Sequence, residues 1–148
     1  AYTRQCAAEA KVIRAYAYFN LARVYGNIPI IDTIMTSEEL SSVFQSSKAE
    51  TYRFIEKDLQ EAIPLLPASY SKNYAGRLTR FSAMALKAKV HMYHASFENS
   101  AANWDSVAVI TDKINASGKF DLLTDFRTEF MMDGENSKES LFEIQSSS

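Results

Sequence analysis

The sequence predicts an all-α domain of packed helix pairs. Three observations predict it. Gly and Pro are scarce, at 4 and 3 among 148 residues, and a fold of many tight turns needs more of both. Apolar residues recur at helical spacing in four separate stretches. Each stretch is bounded by a capping residue or a breaker.

The first helix is expected over about residues 3–25. Ile13, Tyr16, Ala17, Leu21 and Val24 form one apolar row, and Val12, Ala15, Phe19 and Ala22 a second beside it. Two rows imply a helix buried around most of its circumference. Lys11 and Arg14 mark the remaining polar strip. Gly26-Asn27 ends the helix and Pro29 prevents its return. Residues 27–34 read as an extended link. Residues 36–47 read as a Ser-rich surface loop with a short turn, longer than most helix connections.

The second helix is expected over about 48–66. Ser47-Lys48-Ala49-Glu50 is a capping box, with the Ser oxygen accepting from the third N–H and the Glu reaching back. Tyr52, Ile55, Leu59, Ala62, Ile63 and Leu66 make its apolar stripe. Arg53, Glu56, Lys57, Gln60 and Glu61 make its wet face. Pro64 and Pro67 end it or kink its last turn. A polar loop follows over 68–78, with Tyr70, Tyr74 and Gly76. Thr79 can cap a third helix over about 80–97, with Ala83, Leu86, Val90, Tyr93 and Phe97 as its stripe. Ala85 and Ala88 allow a neighbouring helix to approach closely.

Asn103 can cap a fourth helix that ends at Gly118, a residue suited to the left-handed position past a helix end. Trp104, Val107, Ala108, Thr111 and Ile114 form its stripe, with Trp104 expected in the core. Phe120 and Leu122 are expected to return to the core, and 126–131 to add a helical turn. Residues 141–145, Leu141 to Gln145, are the one candidate strand, near the C-terminus. The pair of helices over 79–118 has tetratricopeptide-like length. The literal tetratricopeptide consensus is poorly matched, so the pattern is that of a divergent repeat, an α–α superhelix.

The bulk numbers exclude several function classes. Sixteen basic and 18 acidic residues leave a formal net charge of −2, and no Lys/Arg run occurs. Nothing supplies the basic field that a nucleic-acid backbone or an anionic membrane requires. Cys6 is the single cysteine, so no internal disulfide forms. No apolar run approaches the roughly 18 residues of a membrane span. The chain starts without Met inside a helix and closes in Ser146-Ser147-Ser148, and is expected to be a piece of a longer protein.

Catalytic and metal patterns are weak. His91 and His94 share a helix face and Glu98 follows four residues later, but the His-Glu-x-x-His of zinc proteases is absent. The plainer reading is partly exposed helix residues beside a buried Tyr93. Asp133-Gly134-Glu135-Asn136 is rich in oxygen, yet it lacks the EF-hand pattern and reads as a solvated turn. Glu56 with Glu61, or Asp121 with Asp125, offer paired carboxylates, but a charged surface accounts for them. No nucleophile elbow, phosphate loop or dinucleotide fingerprint is present. No catalytic residue, metal ligand or cofactor is therefore expected.

The loop over 68–78 carries the candidate binding residues Tyr70, Asn73, Tyr74 and Arg77. Aromatic faces stack on sugar rings, while Asn and Arg hydrogen-bond hydroxyls. The plainer alternative is that the tyrosines cover helix ends and Arg77 braces the loop, and on residue grounds it carries more weight.

Four stretches together resemble the SusD/RagB family of outer-membrane nutrient-binding lipoproteins. The first is Ala8-Glu9-Ala10-Lys11-Val12-Ile13-Arg14-Ala15-Tyr16-Ala17-Tyr18-Phe19-Asn20-Leu21, running into Arg23-Val24-Tyr25-Gly26-Asn27-Ile28-Pro29-Ile30. The second runs from Thr51-Tyr52 through Asp58-Leu59 to Ala62-Ile63-Pro64-Leu65-Leu66-Pro67. The third is Gly76-Arg77-Leu78-Thr79-Arg80 with the helix after it. Trp104-Asp105, Gly118-Lys119-Phe120-Asp121-Leu122 and Ser140-Leu141-Phe142-Glu143-Ile144-Gln145 complete the fourth. Where this chain has Gly26-Asn27, relatives usually carry Gly-Asp.

The resemblance implies that residues 1–148 are part of one SusD-like helical-repeat domain, in a parent longer at both ends. It implies non-catalytic capture of an oligosaccharide or other nutrient at the outer-membrane surface. Delivery would be to a SusC-type TonB-dependent transporter, and the lipid anchor would lie outside this segment. Tyr16, Tyr18 and Tyr25 are expected to be interior or to face the transporter. The alternative reading is a protein–protein interaction repeat without a small-molecule ligand.

Overall fold

A computed structural model describes residues 2–144 of the chain. Five α-helices follow in order: α1 Tyr2–Tyr25, α2 Ser37–Ser41, α3 Lys48–Ala62, α4 Arg80–Glu98 and α5 Ala101–Asn115. Two antiparallel pairs, α1 with α3 and α4 with α5, are joined where α3 packs on α4. The all-α, tetratricopeptide-like expectation therefore holds.

The helix ends form where the caps require. Ser47 Oγ accepts from Glu50 N at 3.2 Å, and the Glu50 carboxylate accepts from Ser47 N at 2.8 Å. Thr79 and Ser82 form the same reciprocal cap on α4. A third box, Thr36 with Glu39, builds the short helix α2 in the Ser-rich loop. On α5 the capping side chain is Ser100. Asn103 instead turns inward to His91, so the sequence expectation for that cap is corrected. Its reason lies upstream: Asn99 ends α4 in the left-handed conformation (φ 51°), which leaves Ser100 at the turn into α5.

The core lies along one face of α1. Ala8, Val12, Ala15, Phe19 and Ala22 are all buried there. They meet Tyr52, Ile55, Leu59, Ala62 and Leu66 of the second stripe, and Ala83 and Val90 of α4. The Phe19 ring sits edge-on to Tyr52 (6.3 Å) and Tyr93 (5.3 Å). Beside this seam Arg14 donates from two nitrogens to the two oxygens of buried Asp58, both at 2.7 Å. Lys11 pairs with Glu61 one turn away. The polar strip of α1 thus lies against α3.

The other apolar row of α1 is not buried. Ile13 is 61% exposed and Val24 73%. One helix neighbour, α3, covers α1 closely, so only one face gains cover. Trp104 is 48% exposed, against the expectation of a core position. Within α5 only Ile114 is buried, because among the described residues α5 has α4 alone as a close helical neighbour. Phe97 is exposed and lies under Lys48 Nζ, 4.5 Å from the ring centroid. Phe120 packs edge-on to Phe81, but Leu122 is exposed.

Residues 126–134 form two 3-10 turns, Phe126–Phe130 and Met132–Gly134. The strand expected at Leu141 to Gln145 does not form over 141–144, and Gln145 lies outside the described residues. A strand needs a ladder partner. Here the Leu141 carbonyl accepts from the Ser82 side chain instead, at 2.8 Å. Among the described residues no helix is long and apolar enough to cross a membrane.

Phe19→Ala removes the ring that joins all three core helices. It is expected to lower unfolding free energy by about 3–5 kcal/mol. Val109→Ala, at a half-exposed position of α5, is expected to stay within about 0.5 kcal/mol. Urea denaturation of the two variants checks the contrast.

Candidate functional site

The loop over 68–79 is closed at its base. Arg80 N donates to the Pro67 carbonyl at 2.9 Å, and Arg80 Nε to the Leu66 carbonyl at 3.2 Å. The end of α3 and the start of α4 are thereby held together, and the loop projects between them. The Lys72–Tyr74 turn forms its tip. Gly76 then takes φ +84°, a backbone that side-chain-bearing residues adopt only with strain. It returns the chain toward α1.

The four candidate residues fall into two kinds. Tyr70 and Arg77 face inward to Glu9 of α1. The Tyr70 hydroxyl donates to Glu9 Oε1 at 2.7 Å and accepts from Gln5 Nε2 at 2.8 Å. The Leu78 carbonyl lies 3.2 Å from the same hydroxyl. Arg77 Nη2 donates to both Glu9 oxygens, at 2.8 and 3.0 Å. Asn73 and Tyr74 face outward, with Tyr74 57% exposed. The Arg77 guanidinium lies 5.1 Å from the Tyr70 ring centroid and 5.8 Å from that of Tyr74, within the range of cation–π attraction.

The electrostatics follow from this geometry. Burial opposes ionisation of Glu9, but hydrogen bonds from Tyr70, Arg77 and Gln5, with the Arg77 charge, hold its carboxyl below the usual range. Burial and the neighbouring carboxylate push the Tyr70 phenol up to about 12. The loop therefore carries an ion pair and a neutral phenol at neutral pH. Beside it lies a cleft of about 340 Å³, bounded by Tyr70, Tyr74 and Arg77 on one side and by Lys119, Phe120 and Phe142 on the other.

Glu9 entered the sequence analysis only inside the family-like string. A signal was available, since it is the sole acidic residue in a helix that carries Arg4, Lys11, Arg14 and Arg23. An isolated carboxylate on a basic helix calls for a specific partner.

The histidines are also placed differently from expectation. His91 and His94 are buried and Tyr93 only half-buried. His94 Nδ1 donates to Glu56 Oε1 at 2.6 Å, and its ring stacks on Tyr52 with centroids 5.0 Å apart. His91 Nδ1 pairs with Asn103 Oδ1 at 2.8 Å, 3.4 Å from the same Glu56 oxygen. Glu98 Oε2 lies 2.9 Å from His94 Nε2, but the direction is wrong for a hydrogen bond, and Nε2 has no such partner among the described residues. Glu56 is thus drawn from the wet face into a polar contact joining α3, α4 and α5.

Of the other tyrosines, Tyr18 is half-buried and its hydroxyl bonds the Ile31 backbone N–H and carbonyl. Tyr25 is 70% exposed. Tyr16 borders an apolar groove of about 620 Å³ between α1 and α4, with Val12, Ile13, Leu86 and Phe142.

Residues 2–92 match a SusD-like family model described as starch-binding associating with outer membrane. The chain belongs to the SusD-like family. It is 30% identical to SusD-like protein P2 of Formosa agariphila, over 93% of this chain and 26% of that protein. Its structure is similar to a laminarin-binding SusD-like protein, with TM-score 0.81 and 30% identity over 91% of this chain and 29% of that one. It is similar also to surface glycan-binding protein A from Bacteroides fluxus, with TM-score 0.78 and 33% identity over 94% of this chain and 28% of that one. The chain spans about a quarter of the length of the curated relatives it matches. In this SusD-like chain the matched region contains both halves of the pinned loop, Glu9 on α1 and 70–77 beyond α3.

Two measurements check the site as described. Because the folded Glu9 carboxyl lies below its ordinary value of 4.5, its bracing is complete above that pH and is lost as pH falls through the depressed folded value. Limited proteolysis of the loop is expected to accelerate over that acid window, and Glu9→Gln to remove the step. His94→Ala is expected to destabilise by about 2–4 kcal/mol, through the lost ring and the stranded Glu56 carboxylate, measured by thermal unfolding.

Proposed function

We propose that the chain is the helical-repeat part of a longer, non-catalytic glycan-binding protein of the outer-membrane surface. The parent captures an oligosaccharide and passes it to a SusC-type TonB-dependent transporter, anchored by a lipid attached outside this segment. The observation that carries the reading is the family match across residues 2–92. The laminarin-binding and surface glycan-binding neighbours support a sugar as the ligand.

Within the segment the roles divide. Tyr74 offers an exposed ring face and Asn73 an exposed amide, the two groups a sugar needs for stacking and for hydroxyl contacts. Tyr70 and Arg77 border the same cleft and hold the loop in place through Glu9. Capture by this arrangement needs no bond to be made or broken. The recognition elements stand on a loop and the helices hold the loop still, the usual division between function and scaffold.

The alternative is a protein-interaction repeat without a small-molecule ligand. The apolar groove beside Tyr16 favours it, since such grooves accept a helix or an extended peptide.

Tyr74→Ala in the full-length protein is expected to weaken glycan affinity roughly three- to tenfold, the scale of one aromatic contact. Thermal unfolding is expected to be unchanged. Calorimetric titration against the sugars bound by the wild type reads the effect. Full affinity in the variant removes this loop from the ligand surface. No sugar binding at all, with peptide binding retained, selects the alternative.

A further inference from the structure

Glu9 meets the loop with both of its oxygens. Oε1 accepts from Tyr70 and from Arg77, and Oε2 accepts from Arg77 again. The groups facing it are Gln5 on its own helix and Tyr70 and Arg77 on the loop. Arg77 is a quarter exposed, Glu9 less so, and Arg77 borders the cleft next to the Tyr74 ring.

An unpaired guanidinium at that position would attract the carboxylate or sulfate of an acidic sugar. Arginine is the side chain best shaped for such groups. Glu9 changes the outcome in two ways. It cancels the charge of Arg77, so this wall of the cleft carries no net charge beside Tyr74, while Lys119 and Glu143, which also line the cleft, are opposite in sign to each other. It also sets a carboxylate directly behind the guanidinium, and an incoming anion meets like charge at close range. A neutral sugar meets neither obstacle, because stacking on Tyr74 and hydroxyl contacts need no counter-charge.

We infer that Glu9 is a specificity-determining residue that makes the Tyr74 loop accept uncharged glycans and reject anionic ones. The inference rests on the reading of this loop as a glycan contact. It reaches beyond that reading by naming the charge class of the ligand and a residue on a different element that sets it.

The test uses the full-length protein and a panel of maltohexaose, laminarihexaose and xylohexaose, each plain and sulfated. Wild type is expected to bind at least one plain sugar and to bind its sulfated form at least about tenfold more weakly. Glu9→Gln leaves the Arg77 charge uncancelled. It is expected to gain about tenfold or more for the sulfated sugar, and the gain is expected to disappear in high salt. A folded Glu9→Gln protein with no such gain, while Tyr74→Ala still weakens the plain sugar, overturns the inference and leaves the loop reading standing. A silent Tyr74→Ala overturns both. So does the absence of binding to every panel member in wild type and variant.

A second measurement follows affinity with pH. At constant ionic strength, wild-type affinity for the sulfated sugar is expected to rise as pH falls through the range in which Glu9 takes up its proton. Sulfate stays ionised there. Because Glu143 also lines the cleft, Glu9→Gln is measured alongside and is expected to lose the part of the rise that belongs to Glu9. An equal rise in both proteins contradicts the inference, and so does a flat profile.

Discussion

The seam between α1 and α3 fixes the position of every other feature described. Ala8, Ala15 and Ala22 contribute almost no side-chain bulk, so the two helices approach closely. Phe19 then fills the space that α4 closes, with its ring against Tyr52 and Tyr93. The Arg14–Asp58 pair locks the register from the flank. Asp58 is buried, and losing its guanidinium partner would leave a charge with no compensation. Glu9 sits beside Ala8, at the rim of this seam. Its distance from the loop is therefore set by core packing rather than by the loop.

That arrangement explains how a flexible-looking connection becomes a defined surface. Its base is closed by Arg80, its return is turned by Gly76, and its middle is tied to α1 through Glu9. Order in the loop follows from a rigid helix supplying a charged anchor at the right height. Lys119, Phe120 and Phe142 complete the cleft from the C-terminal segment. The cleft is thus lined by the loop that joins the two helix pairs and by a later part of the chain together.

Much of the fold was legible because it rests on local signals. The capping box at Ser47, the cap at Thr79, the second-helix stripe from Tyr52 to Leu66 and the breaks at Gly26 and Pro64 depend on neighbours in sequence, and each is found where expected. What failed depends on partners distant in sequence. Two apolar rows on α1 read alike, and only the placement of α3 decides that Phe19 is buried and Val24 is not. Trp104 heads an apolar stripe, yet α5 has one close helical neighbour and leaves that end uncovered. Glu56 reads as a surface residue until His94 approaches it from α4. The site divides the same way. Tyr70, Asn73, Tyr74 and Arg77 were visible as loop chemistry, but which of them face inward is set by Glu9, more than 60 positions earlier. The family resemblance rested on long strings rather than on single positions, and the match across 2–92 bears it out.

Hydrogen exchange on the full-length protein, with and without a saturating oligosaccharide, tests the central claim most directly. That claim is that recognition belongs to the connections while the helix seams stay fixed. The expected result is new protection over residues 69–77, with exchange in α1 and α3 unchanged. Protection confined to the outer faces of α1 or α5, with the loop unaffected, would contradict it.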